Sequence, residues 1–242
     1  DLGTSELKAL LLDEQHAIRA TARSALRISR PQPLWSEQQP GDWWAAVEDV
    51  MAQLAASHAA ELSQLRAIGL SGQMHGAVLL DAPGAVLRPA ILWNDGRSGA
   101  QCEQLMRELP QLAQITGNLA MPGFTAPKLL WVREHEPELF ARTARVLLPK
   151  DYLGWRLSGD AATDCSDASG TLWLDVGRRE WSKTMLEATG LSLQHMPRLA
   201  EGSDAVGVLK PELARRWGLP EGIVIAAGGG DNAASAVGIG AT

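Results

Sequence analysis

The sequence predicts an α/β fold, in which β-strands and α-helices alternate along the chain. Short apolar runs of strand length alternate with longer segments whose apolar residues recur at spacings of three and four. Glycine, aspartate and asparagine follow several of the apolar runs, so that polar groups gather where strands end. Because open α/β sheets bind ligands at the carboxyl ends of their strands, these junctions are where we expect a functional site.

The first predicted elements are a β-hairpin and an amphipathic helix. An apolar run at 7–13 ends in a polar break, and 18–28 is the predicted return strand, although its alanines and arginines weaken that prediction. From Asp42 onward apolar residues recur at helical spacing, with Asp42 as the predicted N-cap. The later segments predict strands at 65–71, 77–80, 90–93, 146–148, 171–174 and 223–227, and helices at 100–109, 126–134, 211–217 and at the end of the sequence.

Composition narrows the classes of partner. The chain has 242 residues, enough to bury one large core or two smaller ones, and a formal net charge of −6. This charge disfavours nucleic acid and anionic membrane surfaces as partners, and no apolar run approaches the roughly 20 residues that span a bilayer. Cys102 and Cys165 are far apart and are predicted to be free thiols, which favours a cytoplasmic protein.

Two aspartates lie beside glycines at opposite ends of the sequence. Asp1 precedes Gly3-Thr4-Ser5, a turn whose backbone N–H groups and hydroxyls could bind phosphate while Asp1 held Mg²⁺. Asp231 follows a predicted buried strand and three glycines, which let a ligand approach the backbone closely. One aspartate for a metal and one for a substrate hydroxyl are the minimum for phosphoryl transfer to an alcohol. Taken alone, each motif is a weak signal, because a turn of this composition is more often only a turn.

Two more predicted strand ends, in the middle of the chain, carry polar side chains. One is followed by 73–76 and the other by 94–97, and either segment could be a plain turn. Amide, carboxylate and imidazole groups recognise sugar hydroxyls, and together with 231–232 such groups follow three separate strands. This coincidence predicts a sugar site whose candidate side chains are Gln73, His75, Asn94, Arg97, Asp231 and Asn232.

Five segments, taken in order, resemble those of the FGGY carbohydrate kinases. They are 1–5, 72–76, 91–97, 122–132 and 230–232. Segments 35–38 and 164–171 strengthen the resemblance, which spans nearly the whole chain. The tetrapeptide Gln73-Met74-His75-Gly76 resembles that of the xylulokinase branch, whereas glycerol kinases carry a different one.

The resemblance implies an actin-like (ribonuclease H-like) domain with a mixed central sheet flanked by helices. It implies that residues 1–242 are an N-terminal domain, and that a C-terminal domain of the same topology supplies most of the ATP pocket. The implied reaction is the ATP- and Mg²⁺-dependent phosphorylation of D-xylulose.

Residue roles carry over by position. Asp231 matches the general base. Asn94, Asp95, Gly96 and Arg97 match a segment that lines the cleft. The implied sugar-binding residues are Met74, His75 and Asn232, and the implied nucleotide and metal residues are Asp1, Gly3, Thr4 and Ser5, with Asp1 near Mg²⁺.

Three alternatives stay open at this point. One is a family member that acts on another ketose or polyol, such as ribulose or glycerol, against which Met74-His75 argues. Another is a non-catalytic sugar-binding module, against which Asp231 argues, and the third is an actin- or chaperone-like ATPase. Because the strand expected before Asp1 and the second domain are not in this sequence, we expect the chain alone to be inactive. Its own C-terminal domain is an expected partner, and a homodimer is one alternative for its assembly.

Overall fold

A computed structural model describes residues 1–241; Thr242, the last residue of the predicted domain, lies outside the described residues. The strands are β1 (Glu6–Leu12), β2 (Ile18–Ala25), β3 (Glu37–Gln38), β4 (Ala67–Ile68), β5 (Ser71–Gly72), β6 (Val78–Leu80), β7 (Ala90–Ile91), β8 (Arg145–Leu147), β9 (Ala162–Asp164), β10 (Leu174–Asp175), β11 (Glu180–Trp181), β12 (Arg198–Ala200), β13 (Ala205–Val208), β14 (Val224–Ala226) and β15 (Gly229–Gly230). The helices are α1 (Pro40–Ser57), α2 (Ala59–Leu62), α3 (Gly99–Glu108), α4 (Leu112–Thr116), α5 (Thr125–His135), α6 (Pro137–Arg142), α7 (Pro149–Ser158), α8 (Cys165–Ser169), α9 (Lys183–Ala188), α10 (Pro211–Trp217) and α11 (Asp231–Gly238), with a 3₁₀ turn at Leu193–His195.

The central sheet is mixed and brings the two ends of the chain together. β1 and β2 form the predicted antiparallel hairpin. Leu2 then bridges β1 and β5, antiparallel to Leu7 and parallel to Gly72. β15 lies parallel to β5 on the far side, so the order across the sheet is β2, β1, Leu2, β5 and β15. The first residues of the sequence therefore lie beside β5, which itself pairs with β15.

Gly228 allows its backbone to approach the backbone of Leu70 closely. Its φ of +78° is a left-handed conformation that favours glycine, and a Cβ there would lie 1.8 Å from the backbone oxygen of Leu70. Leu70 lies between β4 and β5, and Gly228 lies between β14 and β15. Neither residue belongs to a strand, so strand structure is interrupted on both sides of this contact. The predicted strand at 65–71 is therefore two short strands with a break between them.

Two apolar cores hold the helices on the sheet. The first buries α1, α7 and α10 against β1, β2 and β14, and the second gathers α3, α5 and α9 around β6 to β8. β6 connects the cores because its side chains alternate, with Val78 and Leu80 in the first core and Leu79 in the second. Within residues 1–241, no helix is both long enough and apolar enough to cross a membrane.

The predicted N-cap of the first helix is wrong by three residues. α1 begins at Pro40 with Gln39 as its N-cap, not Asp42. Proline suits the first turn because the N–H that it lacks would have no helical acceptor there. Asp42 lies in the first turn instead, where a negative charge is favoured by the helix dipole.

The predicted strand at 171–174 is also wrong. The polar residues just before it form α8, and the strand β10 begins only at Leu174. The side chain of Asp164 explains the helix, because it caps α8 by accepting hydrogen bonds from the backbone N–H groups of Ser166 and Asp167.

Candidate functional site

The carboxyl ends of β5 and β15 bring 72–76 and 230–232 together. Because these strands are neighbours and parallel, the residues that follow them leave the sheet at the same edge. Met74 packs on the backbone of Gly230, where a Cβ would lie 2.8 Å from its Cγ and 2.9 Å from its Sδ. Met74 therefore lies next to the residue that precedes Asp231, although 157 positions separate Met74 from Asp231 in the sequence.

His75 lies beside Asp231 in a constrained conformation. Its φ is +67°, a left-handed backbone that is uncommon outside glycine. Its Nδ1 lies 2.8 Å from the backbone oxygen of Gly170. Since a carbonyl oxygen only accepts hydrogen bonds, Nδ1 carries the proton and Nε2 of the neutral ring is an acceptor. An acceptor of this kind can bind a sugar hydroxyl.

Burial keeps the imidazole of His75 neutral. Burial is the main effect that lowers its pKa below the ordinary 6.5, and the charge of Lys128 lowers it further. The hydrogen bond with Gly170 and the charge of Asp231 act in the opposite direction. The effect of Asp231 also indicates that its carboxylate is within electrostatic reach of the ring.

Three neighbours of His75 were not among the predicted site residues. Phe124 packs edge-on against the imidazole, with the ring centroids 4.9 Å apart. Lys128 Nζ and Thr125 Oγ1 both donate to the backbone oxygen of His75, at 2.8 and 3.1 Å. All three belong to segment 122–132, which resembles the kinase family. The sequence therefore marked this segment as relevant to function, but it gave these residues no role.

Asp231 itself is half-buried at the first position of α11. Its Oδ1 accepts a hydrogen bond from the backbone N–H of Asn232 at 2.8 Å. Asn232 is exposed and follows Asp231 on the same helix turn. Both predicted residues are therefore accessible at the start of α11, directly after Gly230, on which Met74 packs.

The turn at Gly3-Thr4-Ser5 has the geometry of an anion site. The N–H of Gly3 donates to the backbone oxygen of Glu6 at 3.0 Å, which closes the turn. The N–H groups of Thr4 and Ser5 at its tip make no hydrogen bond to another described residue. Two free N–H groups on a tight turn can bind phosphate oxygens. The hydroxyl of Thr4 accepts from Trp93 Nε1 at 3.0 Å, a contact that the sequence did not indicate.

Asp1 lies exposed next to this turn. Among residues 1–241, no hydrogen bond or ion pair engages its carboxylate, and no cluster of three metal-binding side chains occurs. Mg²⁺ bound to phosphates needs only one or two protein carboxylates and completes its shell with water. A single free carboxylate beside free N–H groups fits that requirement.

Gln73 supports the turn rather than facing a ligand. Its side chain is buried and donates to Gln38 Oε1 at 3.0 Å and to the backbone oxygen of Gly3 at 3.4 Å. The hydroxyl of Thr4 completes the set by donating to Gln73 Oε1 at 3.4 Å. The side-chain amide of Gln73, which was predicted to bind substrate, instead makes its hydrogen bonds to Gly3, Thr4 and Gln38.

Arg97 is likewise enclosed, whereas Asn94 is exposed. The guanidinium of Arg97 contacts Asp95 at 2.7 Å and Glu37 at 2.8 Å, and its side chain is 1% exposed. It also lies against the rings of Trp35 and Trp131, at 3.7 and 4.9 Å from their centroids. These buried contacts hold the loop at 94–97 in place. The structure therefore does not bring Arg97 to the surface with the other predicted sugar residues.

A buried charge cluster lies beneath α8. Lys150 Nζ contacts Asp151 at 2.5 Å, Asp164 at 2.8 Å and Asp167 at 3.5 Å, and all four side chains are at most 3% exposed. Burial raises the pKa of both Asp151 and Asp167 above the ordinary aspartate value. Because Asp164 also caps α8, this cluster fixes the helix whose following residue, Gly170, holds His75.

A large cavity of about 1280 Å³ lies between β1, β4 and α11, and Asp1 is among the residues that line it. Leucine, isoleucine and valine line much of it, but aspartate, serine, arginine and glutamate side chains line it as well, whereas Met74, His75 and Asp231 do not. Because Met74, His75 and Asp231 all lie outside its lining, this cavity is not the predicted sugar site.

Comparison with known proteins gives one consistent family. A sequence model described as the FGGY family of carbohydrate kinases, N-terminal domain, matches residues 1–238. The xylulose kinases of Escherichia coli (strain K12) and Klebsiella pneumoniae are each 55% identical to this chain over 240 residues, which cover 99% of this chain and 49% of each relative. The chain thus spans about half the length of the curated relatives it matches.

A solved structure agrees with these relatives. A crystal structure described as a xyloylose kinase from Brucella ovis superimposes with a TM-score of 0.96 at 52% identity, over 98% of this chain and 49% of that one. The predicted actin-like (ribonuclease H-like) fold, with a mixed central sheet flanked by helices, is confirmed.

Proposed function

The chain belongs to the FGGY family of carbohydrate kinases, and on that premise we propose that it is the sugar-binding N-terminal domain of a kinase for D-xylulose. The complete enzyme would transfer the γ-phosphoryl group of ATP to the primary hydroxyl of the sugar and produce D-xylulose 5-phosphate. A C-terminal domain would supply most of the adenine pocket. Its existence is supported by the relatives, of which this chain covers only 49%. ATP and free thiols at Cys102 and Cys165 suit a cytoplasmic enzyme.

The observation that carries the proposal is the meeting of Met74, His75 and Asp231 at one edge of the sheet. Met74 packs on Gly230, and the carboxylate of Asp231 acts electrostatically on the neutral ring of His75. An acceptor nitrogen, a carboxylate and an exposed amide at Asn232 together match the hydroxyl groups of a ketose.

Asp231 is the proposed general base. It would accept the proton of the attacking hydroxyl while His75 and Asn232 hold the sugar in line with the phosphate. Because phosphoryl transfer passes through a loose transition state, positioning and charge stabilisation contribute more than basicity. Closure of the two domains over the sugar would exclude water, which competes with the sugar as acceptor.

The first turn is the proposed phosphate contact of this domain. The free N–H groups of Thr4 and Ser5 would bind phosphate oxygens, while Asp1 would hold Mg²⁺ directly or through water. When bound, Mg²⁺ neutralises charge on the transferring phosphate groups. Gln73 and Trp93 would keep the turn in place through Gly3 and Thr4.

A substrate panel on the complete kinase tests the proposal. ADP release would be measured with D-xylulose, D-ribulose, glycerol and no sugar, with phosphorus NMR to identify the product. We expect kcat/KM to be highest for D-xylulose. A preference for another ketose or polyol would retain the family but replace the substrate, and sugar binding without ADP release would favour a non-catalytic module.

The variant Asp231→Asn tests the base. It removes the proton acceptor and keeps the size of the side chain, so kcat should fall by about 10²–10⁴-fold while the KM for sugar changes much less. The matched change Asp204→Asn, at an exposed loop residue, should leave kcat unchanged. Near-normal turnover of Asp231→Asn would exclude Asp231 as the base.

A further inference from the structure

Lys128 is a fully buried lysine with no carboxylate partner among the described residues. Its side chain is 0% exposed, and its Nζ donates only to backbone oxygens, those of His75 at 2.8 Å and Gly123 at 2.7 Å. A buried lysine normally pairs with a carboxylate, as Lys150 does here. The position of Lys128 is therefore unfavourable for the fold alone, which points to a role at the site.

The oxygen that Lys128 binds belongs to the most constrained residue of that site. His75 has a φ of +67°, and a non-glycine residue persists there only when its surroundings hold it. Two side-chain donors from the start of α5, Lys128 and Thr125, converge on its carbonyl oxygen. They fix the peptide plane after His75 and with it the direction in which the side chain leaves the backbone.

The ring of His75 is confined from its other sides. The Nδ1 atom is bound by the backbone oxygen of Gly170, and Phe124 packs edge-on against the ring. A Cβ at Gly170 would lie 2.3 Å from the ring atoms Nδ1 and Cε1, so no larger residue fits beside the imidazole. With both the carbonyl and the ring held, Nε2 has one direction available to it.

We propose that Lys128 is a positioning residue for sugar recognition, which holds the His75 carbonyl and so aims the acceptor nitrogen of His75 at a ketose hydroxyl. The inference deepens the proposed function and rests on it. Lys128 would touch neither sugar nor phosphate, and its effect would pass entirely through His75. Its loss should therefore weaken sugar selection without changing the use of ATP.

A double-mutant cycle in the complete kinase tests this path. Lys128→Met keeps the length of the side chain and removes the donor. We expect kcat/KM for D-xylulose to fall about ten- to hundredfold, mainly through KM for the sugar, with the KM for ATP unchanged. His75→Ala should give a similar loss, and the double variant should be no worse than His75→Ala alone.

Thr125→Val gives a second, milder test if Lys128→Met fails to fold. It removes the other donor to the His75 carbonyl with little change in shape, and it should raise the sugar KM a few-fold only while His75 is present. The matched control is Thr116→Val, at a buried threonine of α4 whose hydroxyl binds backbone oxygens remote from the site. It should leave the sugar KM unchanged.

The outcomes separate the two proposals. Multiplicative losses in Lys128→Met and His75→Ala, or an unchanged ratio of D-xylulose to D-ribulose kcat/KM in Lys128→Met, would overturn the role of Lys128 while the kinase stays active. A wild-type enzyme that does not phosphorylate D-xylulose would overturn the proposed function itself, and the positioning role with it.

Discussion

The imidazole of His75 is useful to a sugar in only one protonation state. With Nδ1 donating to Gly170, the neutral ring offers Nε2 as an acceptor, and protonation would turn that acceptor into a donor. Burial lowers the pKa of His75, so the neutral form persists below the ordinary value of 6.5. Nε2 of His75 can therefore accept a hydrogen bond from a sugar hydroxyl throughout the neutral pH range.

Measuring the KM for D-xylulose at a series of pH values tests whether the His75 ring is neutral. The KM of the complete kinase for D-xylulose should be constant from about pH 8 to the ordinary histidine pKa of 6.5, and should rise at lower pH as Nε2 becomes protonated. The rise should disappear in His75→Ala and persist in His16→Ala, a change at an exposed turn. An increase in KM that is already complete at pH 7 would mean that His75 does not accept from the sugar.

Lys128 should make the stability of the protein depend on pH. Burial is the main effect that lowers its pKa from 10.5 to about 7, with Arg97 acting in the same direction and Asp95 in the opposite one. Between these two values the unfolded chain binds a proton that the folded chain does not. The free energy of unfolding should therefore rise with pH across this window, by up to about 1.4 kcal/mol per pH unit.

Urea unfolding at pH 7, 8 and 9 measures this effect. The contribution of Lys128 is complete above pH 10.5 and is lost as the pH falls through about 7, so Lys128→Met should become more stable relative to wild type as the pH is lowered. The control Lys183→Met, at an exposed position of α9, should run parallel to wild type. Parallel curves for Lys128→Met would contradict the lowered pKa.

At the scale of elements, the sequence predicts best where side chains mark both ends. α10 matches its predicted range of 211–217, since Pro211 opens it and Gly218 closes it in a left-handed conformation. α7 was not predicted, because both faces of the helix are buried and its first turn contains Lys150 and Asp151, which interrupt any apolar periodicity.

The same limit applies to the candidate site. The residues at strand ends, from Met74 and His75 to Asp231, could be predicted because parallel strands bring their carboxyl ends together. The burial of Arg97 against Trp35 and Trp131 could not be predicted, since it depends on contacts between distant segments. For the same reason the contact of Lys128 with His75 was visible only in three dimensions.

The charge cluster beneath α8 should be very sensitive to the loss of its one cation. Lys150→Met would leave the buried acidic side chains of Asp151, Asp164 and Asp167 without their cation and should lower the free energy of unfolding by about 3–5 kcal/mol. Asp167→Asn should lower it by less than about 1 kcal/mol. Its pKa is already raised far above the ordinary value, so the folded state favours an uncharged group there.

Chemical denaturation of both variants at pH 7 compares the two changes. The kinase activity of Asp167→Asn serves as a check that α8 is intact, since Gly170 follows this helix and holds His75. Equal losses of stability in Lys150→Met and Asp167→Asn would show that the lysine is not the member that neutralises the cluster.

At the scale of the whole molecule, the two proposed subsites are unequally complete within this chain. Met74, His75, Asp231 and Asn232 all lie at one edge of its central sheet, so the sugar has every contact that we propose. The nucleotide has only the N–H groups of Thr4 and Ser5 and the carboxylate of Asp1. In relatives of twice this length, the remaining half is available for the rest of an ATP pocket.

The polypeptide of residues 1–242 should therefore bind D-xylulose and fail to phosphorylate it. A ligand that binds only the folded state stabilises it by RT ln(1 + [L]/Kd), so millimolar D-xylulose should raise the Tm in a thermal-shift titration more than Mg²⁺–ATP does. His75→Ala should abolish the shift with sugar and leave any shift with nucleotide unchanged. Without the other half, ATP is not held in line with the hydroxyl, and positioning supplies most of phosphoryl-transfer catalysis. Rapid formation of D-xylulose 5-phosphate by this polypeptide alone would refute the division of the site between two domains.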